Sequence, residues 1–195
     1  PFPIPPRLQY NMNSVPFEKL KLLSDDEIKN FSELFTEISA VALSSIEFQQ
    51  LPPCVKTYYE QLWCYNIPRG RKIRAEVLIL SFKFFSSGIS KDTITLSYIL
   101  GWILEILHSA STIGDALRGK IANGKSYCYP QDDIGVAVAN DMIFVENAAY
   151  ILAKKYFCNK PYYIDLVNFL HDTSFRNSFG RGLDLMSEML REFYT

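Results

Sequence analysis

Two stretches of this chain carry residue types that chemistry can use. The first is Arg71-Lys72-Ile73-Arg74, which follows the turn Asn66-Ile67-Pro68-Arg69-Gly70 and opens a predicted helix over residues 71–86. Cations at a helix start oppose the macrodipole, which favours anions there. A helix N-terminus with added positive charge is what a phosphate site needs: free backbone amides plus guanidinium forks. The same residues would serve equally as a solvated basic turn. The second stretch is the end of TITLSYILGWILEILHSASTIGDALRG, from Thr93 to Gly119. Past Leu107 it turns abruptly to His108, Ser109, Ala110, Ser111 and Thr112, and Asp115 follows two turns after His108. An apolar helix that becomes small and polar and then presents a carboxylate describes one wall of a cavity with a charged rim. It equally describes a core helix reaching solvent.

The elements that must position these groups are helices. Ile94, Leu96, Tyr98, Ile99, Leu100, Trp102, Ile103, Leu104, Ile106 and Leu107 leave almost no polar face, so other helices must wrap this central one. Glu105 and His108 interrupt it short of the roughly 20 apolar residues a bilayer requires, so no membrane span is expected. Upstream, Ser24-Asp25-Asp26-Glu27 is a capping box. Ile28, Phe31, Leu34, Phe35, Ile38, Val41 and Ala42 then recur at helical spacing, in a helix expected to end near Leu51-Pro52-Pro53. A shorter helix spans residues 55–65. Downstream, a Gly- and Asn-rich loop over 120–135 leads to helices over 136–157, from Pro161, and over 175–194. No period-2 strand is evident. The expected fold is all-α with about seven helices. Pro1, Pro3, Pro5, Pro6 and Pro16 predict an extended arm over residues 1–16, with the helical domain over 17–195.

Composition narrows the function classes. The chain has 195 residues, enough for one domain with a sizeable core. Lys plus Arg number 20 against Asp plus Glu 21, so no net field draws nucleic acid or an anionic membrane. Cys54, Cys64, Cys128 and Cys158 share no CxxC spacing and read as reduced residues of a cytoplasmic protein. A targeting segment upstream of Pro1 stays open.

Four segments, in order, resemble the isoprenyl diphosphate synthase family, most closely its farnesyl diphosphate synthases. Tyr65-Asn66-Ile67-Pro68-Arg69-Gly70-Arg71-Lys72-Ile73-Arg74 is similar to the family's YNxPGGKxxR turn. Leu100-Gly101-Trp102 with Glu105 and Leu107 resembles the helix leading to the first aspartate-rich motif. Ile134-Gly135 with Ala139-Asn140-Asp141 is similar to the loop and helix that follow. Gly180-Arg181-Gly182-Leu183-Asp184-Leu185 resembles GQxLDL. The resemblance implies an isoprenoid-synthase-type helical bundle around the central helix, incomplete at the C-terminus. It also implies isoprenoid diphosphate substrates and Mg²⁺, held by two aspartate-rich motifs. Arg71, Arg74, His108 and Lys125 then fall at diphosphate-binding positions, with Arg71 in place of Lys and His108 in place of Gln.

The sequence departs from the family at the first metal motif, DDxxD. Asp115 takes its first Asp, Ala116 its second and Gly119 its last, while Arg118 adds positive charge. Asp115 is thus the expected metal ligand, with Asp184 in support and Arg181 in place of the family's Gln. Asp132-Asp133 reads as a solvated acidic pair. Ala110 and Ser111 stand where farnesyl-forming relatives carry bulky residues, which implies a deeper chain-length pocket unless other side chains fill it. Two functions follow: a prenyltransferase or derived terpene synthase impaired in chain elongation, or a non-catalytic regulatory subunit or isoprenoid-binding paralogue. Either is expected to pair, as a homodimer or as a heterodimer with a related synthase.

Overall fold

The computed structural model describes residues 22–116 and 134–194. Their elements, in order, are α1 (Asp25–Ala42), α2 (Ile46–Gln49), α3 (Pro53–Asn66), α4 (Ile73–Phe85), α5 (Lys91–Ala116), α6 (Ile134–Phe157) and α7 (Tyr163–Tyr194). No strand occurs among the described residues, in line with the helical periodicity. The arm of residues 1–16, Lys125 and the Asp132-Asp133 pair lie outside the described residues.

Helix α5 is the axis of the bundle and packs mainly against α4 and α6, with α1 beside it. Ile99, Trp102, Ile103, Ile106, Ala110 and Ile113 are buried along it. By length and composition α5 could cross a membrane, but it is the core helix of this bundle. Its contact with α4 depends on Gly101: a Cβ there would lie 3.0 Å from the Ala75 Cβ and 3.3 Å from the Phe31 ring. Trp102 fixes the α1 side, stacking on Phe31 at 4.6 Å and donating its Nε1–H to the Phe31 carbonyl at 2.8 Å.

The ends of the helices follow local chemistry. The Ser24–Glu27 capping box forms as expected. The first helix, however, stops at Ala42 instead of continuing to Leu51. Ser44 donates to the Val41 carbonyl, and Ser45 accepts from the Phe48 amide to start α2, so two serines divert the backbone. Pro53 occupies the first turn of α3, where a missing N–H is harmless. Gly70, at φ 83°, takes the left-handed conformation that carries the chain into α4. The two helices expected from Pro161 and over 175–194 are one continuous helix, α7; Gly180 and Gly182 do not break it.

Candidate functional site

The basic turn and the polar end of α5 come together because α4 and α5 pack side by side. At the start of α4, Lys72 provides no side-chain cap of its own. Glu105, only 2% exposed, supplies the cap from α5. Its Oε1 accepts from the Ala75 amide at 3.2 Å. Burial raises the Glu105 pKa, opposed by the Ala75 amide and by the charges of Lys72 and Arg74. The residue is legible in the sequence as a carboxylate in an apolar helix, yet its partner is not. It also takes up one of the amides that this helix start offers to an anion.

The four cations of the turn divide into different roles. The Arg69 guanidinium lies 3.6 Å from the Tyr65 ring centroid. Lys72 Nζ donates to the carbonyls of Ile67 and Arg69, both at 2.6 Å, and faces the Trp102 ring at 5.5 Å. Burial lowers its pKa, and Glu105 opposes the shift. Arg71 and Arg74 are both exposed.

His108 is the meeting point. It is partly buried, one turn along α5 from Glu105, and burial depresses its pKa most strongly. The charges of Arg74, Lys72 and Arg181 depress it further, while Asp115 pulls it upward. Positive charge from the start of α4 and from the middle of α7 thus acts on one imidazole of α5, with Asp115 opposing it.

Asp115 and Arg181 close the far side. Arg181 Nη2 lies 3.5 Å from Asp115 Oδ1, with the two side chains 22% and 45% exposed. Nη2 also donates to the Ser111 carbonyl, and Asn177 Nδ2 donates to the Ser111 hydroxyl at 2.9 Å. Gly114 makes room for this arrangement, since a Cβ there would lie 2.8 Å from both Arg181 Nη1 and Met142 Sδ. Asp184 is exposed on α7, one turn beyond Arg181. Of the two small residues expected to open a chain-length pocket, Ala110 is buried in the core at 3% exposure, and Ser111 is tied to α7. A cavity of about 440 Å³ lies elsewhere, lined by Leu78, Phe82, Leu96, Leu100, Phe157 and Tyr162 among others.

The described residues form an all-α bundle whose axial helix ends beside Arg181 and the basic start of α4. The polyprenyl synthetase family model matches residues 56–194, and the chain belongs to this family of isoprenoid biosynthesis. It is 28% identical over 192 residues to a farnesyl diphosphate synthase of Dictyostelium discoideum, covering 93% of this chain and 49% of the relative. A farnesyl pyrophosphate synthase of Kluyveromyces lactis is 27% identical over 169 residues, covering 83% and 48%. The chain thus spans about half the length of these relatives. Among solved structures, T. brucei farnesyl diphosphate synthase complexed with homorisedronate superposes with a TM-score of 0.70 at 18% identity, covering 80% of this chain and 46% of that one. That likeness establishes the isoprenoid synthase fold.

The resemblance brings an expectation of Mg²⁺, and the donor set can be tested against it. Mg²⁺ demands several oxygen ligands in near-octahedral geometry. Among the described residues no group of three His, Cys, Asp or Glu side chains converges, and the Asp115 carboxylate is paired with a guanidinium. The described residues do not fit a Mg²⁺ cradle.

Proposed function

We propose that this chain binds isoprenoid diphosphates through the cluster around His108, and that it is impaired in chain elongation. What supports this reading is the Arg181 guanidinium, 3.5 Å from Asp115 at the polar end of α5, together with the charges of Arg74, Lys72 and Arg181 that lower the His108 pKa. Arg74 and His108 contact the diphosphate, with Arg71 and Lys125 assisting. Lys72 is committed to backbone carbonyls and holds the turn in shape. Two chains pair, through apolar side chains that α4 and α6 expose, such as Val77, Phe84 and Ile143. Exposed free thiols at Cys54, Cys64 and Cys158 support a reducing, cytoplasmic setting.

The test is titration with isopentenyl diphosphate, followed by incubation with isopentenyl and dimethylallyl diphosphates plus Mg²⁺. Binding that Arg74→Ala weakens by about tenfold, with no chain-extended product, is the expected result. Enzyme-like turnover would refute the impairment, and an unchanged affinity in Arg74→Ala would return the basic turn to a solvated surface. The Asp115–Arg181 pair favours a second reading, a non-catalytic isoprenoid-binding or regulatory subunit. Restored synthesis on mixing with a related synthase would support it.

A further inference from the structure

We infer that Arg181 is the resident cation of this anion site, occupying with its guanidinium the charge position beside Asp115 that a divalent metal would otherwise hold. The inference rests on the diphosphate reading above and adds how that anion is neutralised. Three features fix the guanidinium in place. Asp115 Oδ1 lies 3.5 Å from Nη2, the Ser111 carbonyl accepts from the same nitrogen, and Gly114 offers a bare backbone against which Nη1 packs. The Arg181 charge reaches His108, as do those of Arg74 and Lys72. The cation is therefore covalently part of the chain. In this arrangement Asp115 orients Arg181 and is a positioning residue.

The two roles for Asp115 predict opposite signs. If Asp115 held a metal for the diphosphate, Asp115→Asn would weaken binding. If it only orients a guanidinium, the same substitution removes a negative charge from an anion site and strengthens binding. Inorganic pyrophosphate is titrated into the chain in EDTA and again in excess Mg²⁺. The wild-type chain is expected to bind in EDTA. Arg181→Gln should weaken binding by about tenfold, the scale of one lost charge-assisted hydrogen bond. Arg181→Lys should retain most of the affinity, and Asp115→Asn should tighten it by about two- to fivefold. Binding that appears only with Mg²⁺, or that Asp115→Asn weakens, overturns the inference. Binding lost in Arg74→Ala but unchanged in Arg181→Gln overturns it while sparing the diphosphate reading. No binding in either condition removes both.

Discussion

Replacing Glu105 tests how the start of α4 is held. The carboxyl accepts from the Ala75 amide at 3.2 Å, and Ala75 is 0% exposed. Glu105→Ala leaves the Ala75 N–H buried without an acceptor, at a cost of about 1–3 kcal/mol. The lost packing of the side-chain stem adds to this, so a total of about 3 kcal/mol is expected. At about 2–4 °C per kcal/mol for a chain of this size, the melting temperature should fall by about 6–12 °C. Glu105→Gln keeps an acceptor of the same shape and should cost only about 1 kcal/mol. Thermal unfolding followed by far-UV circular dichroism measures both. Equal losses in the two variants would show that charge, and not acceptance from the amide, is what Glu105 contributes. The pH dependence gives a second check. Since the folded state raises the Glu105 pKa above 4.5, folding takes up a proton. Stability therefore falls as pH rises from 4.5 through the folded value, and Glu105→Gln should lack that component.

Three further outcomes are expected. A bound pyrophosphate raises the depressed His108 pKa, so binding takes up a proton and tightens as pH falls through the bound-state value of that group. His108→Gln should flatten this slope relative to wild type in calorimetry, and an identical slope would place the proton elsewhere. Gly101→Val drives a side chain into Ala75 and Phe31 and should cost about 3 kcal/mol in urea unfolding. Trp102→Phe retains a ring against Phe31 but loses the Nε1–H bond to its carbonyl, for a loss of about 1 kcal/mol in the same assay.

The helical architecture is legible in the sequence because it rests on local signals. The Ser24 capping box, Pro53 and the apolar circumference of α5 each act within one or two turns. The break after Ala42 is harder to see, because Ser44 and Ser45 bond to the backbone only once the chain has turned. The continuity of α7 through Gly180 and Gly182 is hidden for another reason: each glycine costs only about 1 kcal/mol of helix propensity, which weakens a helix without ending it.

Pairings between distant residues are a different matter, since no spacing encodes them. Glu105 and Ala75 are thirty positions apart, and Arg181 reaches Ser111 across seventy. Sequence marks Arg181 only as a departure from GQxLDL and Asp115 only as the remnant of DDxxD. The structure joins the two departures into one ion pair. Taken separately, a lost carboxylate motif and a gained arginine are two unrelated degradations. Taken together, each accommodates the other: a guanidinium beside a full metal cradle would be repelled by the ions, and a carboxylate without that guanidinium would oppose an anion. Arg181→Gln alone should therefore not restore metal binding, because a single carboxylate cannot satisfy Mg²⁺. Recovery would require Ala116→Asp and Gly119→Asp as well. Mg²⁺ binding measured by calorimetry in the single and triple variants decides this. Metal binding by the single variant would show that Asp115 already has carboxylate partners in the fold.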